Sequence, residues 1–198
     1  MFNNNALKRR EKDKVSKTLI ITAGHHDRDP GAIGNGYKEN ALNIEIVELV
    51  IQRIKQLDPS VNIWTDDSKL TLSQVIAKVK EFATAQDIWI EYHFDASISP
   101  KASGATSLVA DGARQLSKDI AKELVDIGST ILEIPNRGVK SEKDSARGRL
   151  AMLHTKATSV LYEVGFISNP TDMANHQDWK HWLADEHARI LLKYYKMK

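Results

Sequence analysis

Three short apolar runs in this chain each end in side chains that bind metals or move protons. Thr18 to Thr22 is followed by Ala23-Gly-His-His-Asp27. Asp87 to His93 closes on Glu91-Tyr-His-Phe-Asp95, and Ser159 to Val164 carries Glu163 near its end. A further carboxylate, Glu39, stands in Gly36-Tyr-Lys-Glu-Asn40, where a helical pattern begins. The chain has no cysteine, so any metal must be held by His, Asp and Glu. Two imidazoles, one carboxylate and a position left open for water make a hydrolytic zinc site. Zinc acidifies a water and polarises a carbonyl. A second carboxylate outside the metal shell then takes and returns a proton. Residue types alone leave open which histidine and which carboxylate fills each place.

These groups meet only if the runs lie side by side. Residues 41–57 carry Leu42, Ile46, Val47, Val50, Ile51, Ile54 and Leu57 at helical spacing. Val61 to Thr65 reads as a strand. Thr71-Leu-Ser-Gln74 fits a capping box, with Leu72, Val75, Ile76, Val79 and Phe82 as the stripe of the helix behind it. Gly104 to Ala110 is another strand. Ala113, Leu116, Ile120, Leu124 and Ile127 stripe a helix for which Gly128 is the expected stop. Residues 136–150, rich in Gly, Arg, Lys and Ser, read as a loop. Trp179, Trp182, Leu183, Ile190, Leu191 and Tyr194 stripe a terminal helix, and its aromatics are expected in the core. Strands alternating with helices predict an α/β fold. In the three-layer αβα form, a twisted, mostly parallel sheet has helices on both faces. Ligands gather beyond the carboxyl ends of its strands.

At these same residues the chain resembles a known family, the zinc-dependent N-acetylmuramoyl-L-alanine amidases of type 3. Ile20-Ile-Thr-Ala-Gly-His-His-Asp-Arg-Asp-Pro-Gly-Ala-Ile-Gly34, then Glu39-Asn40, is similar to the family's opening. That opening has a Gly-His pair, an Asp-Pro-Gly-Ala turn and a Glu entering the first long helix. The segment ending in His93 resembles the second histidine strand, and Asn136-Arg-Gly-Val-Lys140 a substrate-side loop. Leu161-Tyr-Glu-Val-Gly-Phe-Ile-Ser-Asn169 resembles the closing motif. The resemblance implies a phosphorylase/hydrolase-like αβα fold and one zinc ion per chain, held by His25, Glu39 and His93. It implies Glu163 as the catalytic carboxylate, which activates the water and protonates the leaving amine. The bond cut would join the lactyl carbonyl of muramic acid to the amine of L-alanine, so the partner would be peptidoglycan. Asp95, Arg137 and Lys140 are candidate substrate contacts. Arg137, Lys140 and Arg149 would meet carboxylates of the peptide stem.

The chain departs from the family at several points. Small glycine-type residues usually follow the first histidine, whereas His26 and Asp27 stand here. His26 is therefore a candidate alternative ligand or a group behind the ligands. Ser-Ile-His-x-Asn is usual around the second histidine, and Glu91-Tyr-His-Phe-Asp95 replaces it. Asp95 keeps an acceptor, loses a donor and adds charge. Asp66 and Asp67 stand where an arginine is common. No site-blocking helical insertion is evident, which predicts an open groove. His154, His176, His181 and His187 read as surface or core histidines without partners at ligand spacing.

Composition bounds the rest. The 198 residues suit one domain, expected over residues 18–198. Residues 1–17 hold six basic and two acidic side chains, so that segment is +4 and the body −2 of a formal net +2. A solvated basic tail is expected there, and no nucleic-acid partner for the mildly acidic body. No run approaches the ~20 apolar residues of a membrane span. The N-terminus lacks the apolar core of a signal peptide. That pattern is similar to phage lysis enzymes made in the host cytoplasm and released at lysis onto the cell wall. A monomer is expected. Two other functions compete: a zinc peptidase cutting the peptide stem, and a non-catalytic wall-binding domain.

Overall fold

The computed structural model describes residues 17–66, 68–145 and 147–197. The basic segment expected over residues 1–17 therefore lies outside the described residues except for Lys17, as does Asp67. In chain order the elements are β1 (Leu19–Ala23), β2 (Ile33–Gly34), β3 (Tyr37–Lys38), α1 (Glu39–Leu57), β4 (Ile63–Trp64), α2 (Leu72–Phe82) and β5 (Ile88–Asp95). They continue with β6 (Ala105–Val109), α3 (Gln115–Ile131), β7 (Asn136–Ser141), β8 (Thr158–Phe166) and α4 (Pro170–Lys196).

Six strands form one sheet in the order β4-β1-β5-β8-β6-β7, while β2 and β3 make a separate hairpin. Only β6 runs against its neighbour β8; the other pairs in this sheet are parallel. The fold is thus the αβα sandwich that strand–helix alternation predicts.

Period-two alternation sorts the side chains onto two faces. Leu19, Ile21, Ile88, Ile90, Tyr92, Val160 and Tyr162 pack with α1, α3 and α4. Ile20, Trp89 and Leu161 pack with α2 and the single turn Ala151–Leu153. His93 continues the Trp89 face of β5, and Glu163 the Leu161 face of β8. Both therefore emerge on the side that carries only one long helix. The capping box of α2 is present, with Thr71 Oγ1 accepting from Gln74 N and Gln74 accepting from Thr71 N.

Four sequence expectations change. Residues 136–150 are not a loop throughout: Asn136–Ser141 is the edge strand β7, paired in parallel with β6. Its polar composition suits an edge, where charged residues discourage further pairing. Gly128 does not stop its helix, because α3 runs on to Ile131. The glycine serves packing instead: a Cβ there would lie 2.0 Å from Tyr162 Oη. Trp179 and Trp182 are not core residues; they are 45% and 61% exposed, and α4 buries Met173, Leu183, Ile190 and Leu191 in their place. His154 does have a carboxylate partner. Its Nε2 lies 2.8 Å from Glu142 Oε1, twelve residues away and brought close by two short 3-10 turns.

The closing motif does structural work at its end. Asn169 caps α4 by accepting from Thr171 N and Asp172 N, and donates to the carbonyls of Pro100 and Ala102. Asp172, buried to 1% exposure, accepts from Gly104 N, Phe166 N and the Ser103 hydroxyl. These bonds tie the end of β8 to the loop before β6.

Gly128→Ala is expected to destabilise the fold by about 1–3 kcal/mol, the usual cost of overpacking a closed core. Denaturant unfolding measures it, and an unchanged midpoint would mean that the α3–β8 contact can open freely.

Candidate metal centre

The centre forms where β1, the start of α1 and the end of β5 meet. His25 comes two residues after the end of β1 and takes a left-handed backbone, φ 67°. That conformation is uncommon for a residue with a Cβ, and it turns the chain over the strand ends. Two glycines allow the close approach. A Cβ on Gly24 would sit 2.1 Å from His93 Cε1, and one on Gly31 would sit 2.6 Å from Glu39 Oε2.

Glu39 is the first residue of α1 and is 4% exposed. A carboxylate at a helix N-terminus is favoured by the helix dipole. Its Oε2 accepts from Ala32 N at 2.9 Å and its Oε1 from Phe94 N at 3.2 Å. The same two oxygens face the imidazoles: His25 Nε2 lies 3.1 Å from Oε2, and His93 Nδ1 lies 3.0 Å from Oε1. The rings meet edge to face, 5.4 Å between centroids. Asn40 and Asn43 reach back from α1 to the carbonyls of His26 and Gly24, which fixes the helix to the histidine loop.

One ligand atom from each of His25, Glu39 and His93 lies within 4.8 Å of the others, so the three form a group able to bind a metal ion. The donor set fits a divalent cation. Each ring nitrogen pointing away from Glu39 is held by another carboxylate: His25 Nδ1 by Asp29 at 2.9 Å, and His93 Nε2 by Glu91 at 3.2 Å. Carboxylates behind ligating histidines fix ring orientation. The His25 and His93 side chains keep 11% and 15% of their surface, so solvent reaches the group.

The electrostatics follow from two imidazoles bracketing one buried carboxylate. Burial opposes ionisation of Glu39, but hydrogen bonds from His25 and His93 hold its carboxyl far below the usual range. The bond to Glu39 raises His25. Burial works against a charged His93, yet the bonds to Glu39 and Glu91 raise it to about 10.

Glu163 is the register partner of His93 across the β5–β8 ladder. Burial pushes its carboxyl up to about 7; His93 pulls it down, and Asp95 and Glu39 push it up. Its Oε2 is buried without a hydrogen-bond partner among the described residues. A buried carboxylate oxygen without a partner is costly.

The remaining candidates sit on β5, on β7 and in the histidine loop. Asp95 ends β5, and its Oδ1 accepts from Ala96 N. Arg137 donates to Ser103 O, with its guanidinium 5.0 Å from the Phe166 ring centre. Lys140 is paired with Leu108 on β7, two strands from Glu163. His26 Nδ1 accepts from Arg28 N, within its own loop and outside the three-residue group. Sequence reasoning passed over Glu91, Asp29 and Arg147. Glu91 had a signal, because two residues apart on a strand means the same face. Asp29 sits one turn-length from His25 in the Asp-Pro-Gly-Ala turn. Arg147 is distant in sequence, and its charge lowers the pKa of Glu163.

The family model for N-acetylmuramoyl-L-alanine amidase matches residues 19–192. The YqiI protein of Bacillus subtilis is 32% identical over 161 residues, which cover 79% of this chain and 73% of that protein. The amidase LytC of the same organism is 29% identical over 165 residues, covering 80% of this chain but 31% of LytC. The catalytic domain of CwlV, an amidase from Bacillus (Paenibacillus) polymyxa, shares the fold with a TM-score of 0.76 at 23% identity. The match covers 92% of this chain and 99% of that domain. The match runs from β1, which delivers His25, into α4, and this chain belongs to the N-acetylmuramoyl-L-alanine amidase family.

Proposed function

We propose that this chain is a zinc-dependent amidase that hydrolyses the amide between the muramic acid lactyl group and L-alanine in peptidoglycan. One observation carries the reading. A two-histidine, one-carboxylate group lies beside a buried, unpartnered carboxylate, Glu163, in register with His93. Three ligands leave a place open, as hydrolytic zinc sites do and closed structural sites do not.

His25, Glu39 and His93 hold the zinc ion in this reading. Bound there, zinc would supply a Lewis acid for the scissile carbonyl and for a water. Glu163 takes the proton of the attacking water and delivers it to the nitrogen of L-alanine, so that the C–N bond breaks to a neutral amine. Its raised pKa, about 7, suits both halves of that transfer. Asp95 shapes the charge around Glu163. Arg137, Lys140 and Arg147 are the cations that would meet carboxylates of the peptide stem, with Arg149 in the same segment. All three ligands and Glu163 come from one chain, which supports action as a monomer. The substrate places that action at the cell wall.

Peptidoglycan digestion is the direct test. New L-alanine amino termini without new reducing sugar ends are expected, lost on chelation and restored by zinc. New termini on other stem residues would move the bond into the peptide. No release from any peptidoglycan with zinc still bound would favour a binding role. Glu163→Gln should lower kcat by about 10²–10⁴-fold, the usual contribution of a general acid–base group. It should leave zinc content unchanged, which metal analysis of the purified variant reads.

Zinc uptake should also expel protons. Ligation needs neutral rings, whereas the metal-free site holds His93 protonated up to about pH 10. At pH 8, calorimetry in buffers of different ionisation enthalpy should show roughly one to two protons released per zinc. The release should shrink as pH rises through the His93 value, and uptake without release would show that the rings were already neutral.

A further inference from the structure

Glu91 takes no part in the reaction above, yet it is a carboxylate at 2% exposure. Its Oε1 faces His93 Nε2 at 3.2 Å, and its Oε2 accepts from Thr22 Oγ1 at 3.2 Å. Thr22 Oγ1 in turn accepts from Trp89 Nε1 at 2.8 Å. Trp89, Glu91 and His93 share one face of β5 by alternation, and Thr22 is the register partner of Glu91 on β1.

The direction of this relay is set by chemistry. An indole N–H can only donate. Thr22 therefore receives at its oxygen and passes its own hydrogen to Glu91. Glu91 is an acceptor on both oxygens, so His93 must carry its proton on Nε2. Nδ1, 3.0 Å from Glu39 Oε1 and turned toward the ligand group, donates to that carboxylate and is the nitrogen that would give up its proton to a metal while Glu91 keeps the one on Nε2. A histidine ligates through its unprotonated nitrogen, and the bond at the other nitrogen decides which one that is.

We propose that Glu91 is a positioning residue, which locks the ring and tautomer of His93 so that Nδ1 is presented to the metal. The inference rests on the metal-site reading of His25, Glu39 and His93. Asp29 makes the same kind of contact to His25, but its side chain is 51% exposed and water competes for it. Glu91, fixed within the sheet and bonded at both oxygens, is the rigid member of the pair. It therefore governs metal affinity more strongly than Asp29 does.

The test uses the full chain and zinc itself, with dissociation constants read by competition against a chromophoric chelator. Glu91→Ala should weaken zinc binding about 100-fold and the near-isosteric Glu91→Gln about 10-fold, the two ends of the range for groups behind ligands. Asp29→Asn should cost less than Glu91→Gln. In a His93→Ala background, Glu91→Gln should produce no further loss, because its effect passes through that ring. Ring nitrogen NMR of the zinc-loaded protein should find the His93 proton on Nε2. Equal affinity in wild type and Glu91→Gln, the same loss in both backgrounds, or a proton on Nδ1 would each overturn the proposal. If Glu91→Ala fails to fold, Glu91→Gln and the NMR signature decide alone. Wild-type protein that takes up no zinc would instead sink the metal reading itself, which keeps the two failures distinct.

Discussion

The buried carboxylate of Glu39 is the interaction on which the site depends. It accepts two backbone N–H groups, one from the histidine loop and one from the end of β5, and it faces two imidazoles. An isolated carboxylate at this depth would be costly. Here the helix N-terminus, the two amides and the two rings together offset that cost. The same contacts join three segments that are far apart in sequence. Replacing the carboxylate would thus remove a candidate ligand and loosen the junction of β1, α1 and β5 together.

The sheet decides which way the chemistry faces. Three helices cover one side and a single long helix covers the other. Alternation along β5 sends Tyr92 into the crowded face and Glu91 and His93 to the lighter one. Alternation along β8 likewise sends Tyr162 inward and Glu163 toward His93. A slip of one residue in either strand would bury the reactive groups under α1 and α4. The antiparallel strand β6 starts beside the end of β8, and the Arg137 guanidinium of the edge strand β7 lies 5.0 Å from the Phe166 ring there.

The histidines show how environment overrides residue type. His187 and His176 are fully buried, and burial lowers both to about 3. His187 takes a hydrogen bond from the Tyr92 hydroxyl and donates to the Leu124 carbonyl, so it is a neutral core residue. His176 lies edge-on to Phe94. His93 is also deeply set, but two carboxylates raise it to about 10. A carboxylate at each ring nitrogen separates a candidate ligand from a core histidine, and a one-dimensional reading does not see such neighbours.

Local patterns in the sequence determined the αβα class, the extent of most elements, the capping of α2 and the residues at the strand ends. These properties depend on spacing within a few residues, and the family resemblance assigned the ligand set on contiguous motifs. Tertiary structure decided what depends on distant partners. Gly128 looked like a helix stop, but it is small because Tyr162 lies against it. The polar run after Pro135 looked like a loop, but β6 offered it an edge to pair with. Trp179 and Trp182 followed the helical stripe, yet α4 is rolled so that other residues meet the sheet. Glu91 stood two residues from His93 on one strand face, but its tie to Thr22, which in turn accepts from Trp89, exists only in the folded sheet. Hydrogen-bond direction and burial are properties of the assembled sheet, which spacing along one strand does not encode.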